Sequence, residues 1–247
     1  MEQRLITPLD KMHSAIQLAA FHYIVCLKAV PTNADHKLVF DKKEYHFENI
    51  RTAKNHELHI NFQSWAAISV LRDLIENFSI FLMEVYKVAL ETHPTGSFSC
   101  TLTQFERRGI EDQLIVLEKD FAVSPAWIER LTGYNRARNC LAHRAGVVGT
   151  NDATDGSNLV VRWLVAEANL QESVSAPVQE VEGPMASLIQ TQHIEGRFAR
   201  VSILDRERRV AVGKTLYFNP NEIFEICQTF QMAAAAFSGL SQEGMIV

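Results

Sequence analysis

Two residues near the end of one amphipathic stretch, Arg138 and His143, have the types and spacing that chemistry could use. An imidazole can take or give a proton near neutrality. A guanidinium keeps its charge and presents a planar fork that matches phosphate or carboxylate oxygens. Around them, Ile128, Leu131, Tyr134, Leu141, Ala142 and Ala145 recur at helical spacing. At about 100° per residue, Arg138 falls near the middle of that apolar stripe and Asn135 at its edge, while His143 lies about 140° around from Arg138, beside Asn139. A guanidinium on a core-facing stripe is costly unless it is paired or lines a cavity. A helix that breaks its own pattern at one residue marks function or strain at that residue. The ordinary alternative is a buried Arg138–carboxylate pair, with His143 set against the negative end of the helix dipole.

The element that must position these side chains is a helix over 125–146. Ser124 suits the N-cap and Pro125 the first helical position, and Gly146 supplies a stop. The string Arg138-Asn139-Cys140-Leu141-Ala142-His143 resembles the R-x4-H signature of the HEPN superfamily, with that family's usual Asn after the Arg. The following Ala145-Gly146-Val147-Val148 is similar to the small and apolar residues that often come next. The resemblance covers the helical part of the chain. It implies a metal-independent endoribonuclease in which two protomers face their motif helices across a shared cleft. Each contributes Arg138 and His143 as catalytic residues, with Asn139 and Asn135 supporting the Arg or the substrate. The implied reaction is attack by an RNA 2′-OH on the neighbouring phosphate, giving a 2′,3′-cyclic phosphate and a 5′-OH. The implied setting is phage defence or a toxin–antitoxin pair, so RNA, a second copy and an antitoxin or defence partner are the expected partners. Some HEPN toxins carry a modifiable Tyr two residues after the His; here that position is Ala145, and that mode of regulation is not carried over. The competing expectation, from a different class, is a non-catalytic HEPN-like scaffold or ligand-sensing dimer.

Metal chemistry finds little support. His56-Glu57-x-His59 is H-E-x-H, not the H-E-x-x-H that sets two His on one helical face. Cys140 and His143 form a lone C-x2-H with no second pair. No metal and no cofactor is expected.

The chain has 247 residues, 47% of them apolar and 21% charged, which suits a sizeable core and excludes disordered and fibrous classes. A net charge of −5 argues against a broad basic surface coating nucleic acid, though not against a local phosphate site. Cys26, Cys100, Cys140 and Cys227 stand far apart, so reduced thiols are expected. Met1-Glu2-Gln3-Arg4 opens no apolar signal run, and the apolar stretch 65–90 carries Arg72, Asp73, Glu76, Glu84 and Lys87. The expected location is cytoplasmic, with no membrane.

The remaining elements follow from pattern. A first helix spans about 8–30, opened by Thr7 and Asp10, with Leu9, Met12, Ile16, Ala19, Tyr23 and Leu27 as its buried stripe. A polar connection covers 31–56, in which 37–40 and 45–47 read as short strands or a local helix. A long helix over 62–92 carries Ile68, Leu71, Ile75, Phe78, Leu82, Val85 and Ala89 and forms the spine. A third helix spans 102–123, with Arg107 and Arg108 on a solvated face and substrate contact as their alternative role. A strand is predicted at 159–165 and a loop over 167–195. A hairpin is predicted from 197–204 and 209–218, joined by Asp205-Arg206-Glu207-Arg208. Arg206, Arg208, Arg209 and Lys214 form a second basic cluster, read as a charged strand edge, with RNA backbone contact as the alternative. Asn219-Pro220 opens the last helix. The predicted class is mainly α (α+β), a HEPN-like antiparallel helical bundle with a small β-hairpin or sheet before the C-terminal helix. One domain is expected over 1–247: a helical core over 1–146, loops and a small β element over 147–218, and a closing helix over 219–240.

Overall fold

A computed structural model describes residues 7–29, 36–40, 43–47, 53–93, 97–171 and 198–241. The chain is mainly helical. Helices α1 (Pro8–Ala29), α2 (Ala53–Thr92), α3 (Leu102–Glu106), α4 (Ile110–Phe121), α5 (Pro125–Arg144) and α6 (Pro220–Ser238) accompany strands β1 (His36–Phe40), β2 (Lys43–Phe47), β3 (Asn158–Gln171) and β4 (Phe198–Ala211). β1 pairs antiparallel with β2, and β3 with β4. Among the described residues, no helix is long and apolar enough to cross a membrane.

α2 is the spine. α1 and α6 pack on it, as do α4 and α5, while β3 lies against both α5 and α6. The predicted α2 stripe is the core: Leu71, Ile75, Phe78, Leu82, Val85 and Ala89 are buried and Ile68 is partly so. Phe78 is its centre, edge-on to Phe230 at 5.4 Å and to Phe237 at 5.7 Å. In the stripe of α1, Met12, Ile16, Ala19 and Tyr23 are buried, while Leu9 and Leu27 at its ends are only partly so. Its start is a reciprocal cap, in which the Thr7 N–H donates to Asp10 Oδ2 and the Asp10 N–H to Thr7 Oγ1, each at 3.1 Å. Asn219 and Glu222 cap α6 in the same way.

Five features depart from expectation. α2 starts at Ala53, so His56, Glu57 and His59 are helical rather than in a polar loop. Their side chains lie outside the described residues. The missed turns lack an apolar stripe but are rich in residues that accept a helix. The helix expected over 102–123 is two, α3 and α4, separated by Arg107-Arg108-Gly109, with Gly109 extended (φ −70°, ψ 163°) as the N-cap of α4. The hairpin expected around 205–208 is instead one continuous strand, β4, paired along its length with β3: Val161 faces Arg208 and Leu164 faces Asp205. The run 205–208 is polar but holds no Gly, Pro or Asn to turn on. The near-continuous apolar run of β3 also needs a long partner. The chain reverses instead through Gly213 (φ +84°). The predicted loop over 167–195 therefore begins as strand; 172–197 lie outside the described residues. Last, the motif helix stops at Arg144 rather than 146, with Ala145 (φ 49°) and Gly146 (φ 81°) both left-handed.

β3 crosses α5 closely at Gly133, where an added Cβ would lie 2.9 Å from the Val160 carbonyl oxygen. Helix propensity favours Gly133→Ala by about 1 kcal/mol, but overpacking against rigid backbone costs about 1–3 kcal/mol. Gly133→Ala is therefore expected to lower stability by up to about 2 kcal/mol in urea unfolding, the reverse of the usual outcome for a mid-helix glycine.

Candidate functional site

The face of α5 turned to the core carries Arg130, Leu131, Gly133, Tyr134, Ala137, Cys140 and Leu141. Arg138 sits about 80° from the centre of that arc, on the boundary rather than in the middle where the sequence stripe placed it. Its side chain is 23% exposed. The inward guanidinium is Arg130, at 9% exposed. It lies over the Trp127 ring at 5.4 Å and donates to Asp205 Oδ1 at 2.5 Å. The sequence stripe skipped position 130 because it was traced through apolar residues alone; the long apolar stem of an Arg can fill such a place.

At the α5 edge, Arg138 Nη1 donates to Asn139 Oδ1 at 2.7 Å and Nη2 to Glu76 Oε1 at 3.3 Å. Its Nε is shielded from solvent and has no hydrogen-bond partner. One turn earlier, Asn135 Nδ2 donates to Glu111 Oε1 at 2.7 Å. These side chains line a depression of about 280 Å³ between α2, the start of α4 and α5, together with Ile75, Ser79 and Gly109. Glu76 is half exposed, so it holds the fork from the solvent side rather than as an internal acid.

His143 is exposed, in the last turn of α5. It lines a second depression, about 390 Å³, with Glu111, Arg136, Asn139, Arg144, Asn151 and Asp152. Asn139 and Glu111 join the two: Asn139 accepts from Arg138 and lines the His143 side, and Glu111 lines both. Arg138, Asn135 and Asn139 are thus brought to one lip, with His143 in the adjoining hollow.

The floor of that hollow is tied by hydrogen bonds. Asp152 is 1% exposed and accepts from both ends of the Arg144 guanidinium and from the Gly149 N–H. Arg136 Nη1 donates to the Ala153 carbonyl at 2.6 Å. The backbone past the helix is stitched down as well, with the Gly146 N–H donating to the Cys140 carbonyl and the Leu216 N–H to the Gly146 carbonyl. Glu76, Glu111, Arg136, Arg144 and Asp152 were not singled out from sequence. The Asp in the turn-rich segment after the helix was the available signal for Asp152, since such a residue is a ready partner for a helix-end cation.

Cys140 lies on the buried face, and burial, with a smaller push from Asp152, raises its thiol to about 11. That makes it a core residue, not a nucleophile or a ready metal ligand. Among the described residues, no three His, Cys, Asp or Glu are grouped to hold a metal ion.

The three arginines of the second basic cluster are matched by acids on β4, on α6 and in the turn before β3. Arg206 pairs with Glu225 at 2.9 Å, Arg208 with Glu222 at 2.5 Å, and Arg209 with Glu207 at 2.7 Å and Asp155 at 3.1 Å. Hydrogen bonds from Arg209 and then Arg162 hold the Glu207 carboxyl below the usual range. Arg107 and Arg108 are exposed, next to the Gly109 that lines the first depression.

Compared with protein-family models, curated proteins and solved structures, the chain matches none.

Proposed function

We propose that the outer edge of α5 is one half of an RNA-cleaving site of HEPN type, completed by a second copy of the chain, and that the bundle around α2 is HEPN-like. The observation that carries this reading is the state of the Arg138 fork. It is held at a solvent-open lip by an amide and a half-exposed carboxylate, with Asn135 beside it. Such a fork can exchange Glu76 for a phosphate oxygen. His143, exposed beyond Asn139, takes the proton of an RNA 2′-OH as the 2′-oxygen attacks the adjacent phosphorus. The bond from phosphorus to the 5′-oxygen breaks, and the leaving oxygen takes a proton from an imidazolium. Arg138 offsets the charge that gathers on the phosphoryl oxygens. Arg107 and Arg108 suit contacts to flanking phosphates. A role in phage defence or beside an antitoxin belongs to this reading.

The second reading, a scaffold or ligand-sensing dimer, is favoured by one observation: Glu76 already occupies part of the fork. The deciding assay is incubation of purified protein with a single-stranded RNA oligonucleotide, with mapping of the product ends. Cleavage to 2′,3′-cyclic phosphate and 5′-OH ends is expected, and His143→Ala should reduce it by at least about a hundredfold. Intact RNA, or equal cleavage by His143→Ala, removes the nuclease reading and leaves the scaffold.

A further inference from the structure

α1 carries two apolar seams, and among the described residues only one is buried. The inner seam, Met12, Ile16, Ala19 and Tyr23, is buried. On the opposite side of the helix, Leu18, Phe21 and Val25 are 54%, 59% and 46% exposed, flanked by Ile24. With Ser14 before them, these positions are spaced four, three and four residues apart, the same spacing as the inner seam and the mean period of a coiled-coil contact. Scattered exposed apolar residues need no explanation; three large ones in register on one helix line do.

We infer that this outer seam of α1 is a self-association surface, on which a second copy of the chain lays its own α1 antiparallel. The seam is complementary to itself. A two-fold axis beside Phe21 and His22 sets Leu18 of each copy over Val25 of the other and brings the two Phe21 rings together. No charge interrupts the line from Ser14 to Val25. The flanking cations are Lys11, engaged with Glu84 at 2.7 Å, and Lys28, three residues beyond Val25. In the antiparallel arrangement each Lys28 lies across from Ala15 of the other copy, so two copies meet without like charges opposed. The area also suits this occupant. Leu18, Phe21, Ile24 and Val25 expose roughly 400 Å² per copy, at the level where a patch marks an interaction site. With Ser14, Gln17 and His22 as a fully covered rim, the two copies bury at most about 1,300 Å² in total, at the lower end of the range of specific interfaces. A contact of that size between two helices gives a reversible dimer.

This inference is independent of the nuclease reading. The α1 seam does not include the α5 edge, so a dimer formed here leaves Arg138 and His143 open. A chain that also pairs through α5 has two isologous contacts and builds a closed ring or an open filament.

Sedimentation velocity of the full chain, over about 1–100 µM, tests it. A monomer–dimer equilibrium is expected, weakened at least tenfold by Phe21→Asp and, more mildly, by Phe21→Ser, with circular dichroism unchanged in both. Ile115→Asp, at an exposed apolar position on α4, should leave the equilibrium as it is. A wild-type chain that stays monomeric at about 100 µM overturns the inference. So does a dimer that ignores both Phe21 variants but dissociates in Arg138→Ala, which would place association on the α5 edge.

Discussion

Arg138→Ala is expected to lower the proposed RNA cleavage by about a thousandfold while moving the melting temperature by no more than a few degrees. The first magnitude is that of removing one preorganised donor from a developing phosphoryl charge. The second follows from exposure. Arg138 is part-exposed and Glu76 half-exposed, and solvated pairs of this kind contribute about 0–1 kcal/mol to stability. Arg138→Lys should recover little, because an ammonium is a point charge without the planar fork. Glu76→Gln should act in the opposite direction. It removes the charge that competes with a phosphate for Nη2 and leaves the Asn139 contact in place. Cleavage by Glu76→Gln is therefore expected to equal or exceed wild type by a few fold, with tighter binding of a non-cleavable RNA. Steady-state cleavage beside thermal unfolding reads both effects. If Arg138 serves only to join α5 to α2, Arg138→Ala and Glu76→Gln should instead weaken the fold together, with cleavage absent or unaffected.

How much was legible in advance depended on which physical signal each element carried. The α1 and α2 stripes and the start of α6 were readable because periodic burial and end-capping are both local: Tyr23, Phe78 and Asn219 each announce their role within one or two turns. The β4 strand was not, because Asp205-Arg206-Glu207-Arg208 is extended by its pairing with β3, a partner some 40 positions away, and polarity alone looks like a turn. The split between α3 and α4 hinged on a single residue, Gly109, inside an otherwise amphipathic run. The inward arginine was expected at 138 and found at 130. The two positions sit about 80° apart on the wheel, and only β3 lying across α5, next to Gly133, shows which arc is covered. The lip residues Arg138, Asn135 and Asn139 could be named from one helix. Their acidic partners Glu76 and Glu111 come from α2 and α4, and nothing in the α5 sequence points to them.

The largest loss of stability is expected from Arg144→Met. Asp152 is almost wholly removed from solvent, and its carboxylate is satisfied by Arg144 and by the Gly149 N–H at 2.8 Å. Deleting the guanidinium leaves a buried negative charge with one backbone donor, a change that costs about 3–5 kcal/mol. Arg144 is itself more than a third exposed, so the lower end, about 3 kcal/mol, is the expected figure. For a chain of this length that is a fall of about 10 °C in melting temperature. Asp152→Asn should cost less, since the amide can still accept from Gly149 and Arg144 can turn to water. The double variant Arg144→Met with Asp152→Asn should be more stable than Arg144→Met alone, because the stranded charge is gone; that coupling separates charge burial from lost packing. The hollow beside His143 has Arg144, Asn151 and Asp152 in its wall. Arg144→Met should therefore also reduce RNA cleavage at temperatures where the protein is still folded, as the turn loses its tie to α5. If Asp152→Asn proves as damaging as Arg144→Met, the pair stabilises by geometry rather than by satisfying a buried carboxylate, and the seat of His143 depends on the shape of the 149–153 turn alone.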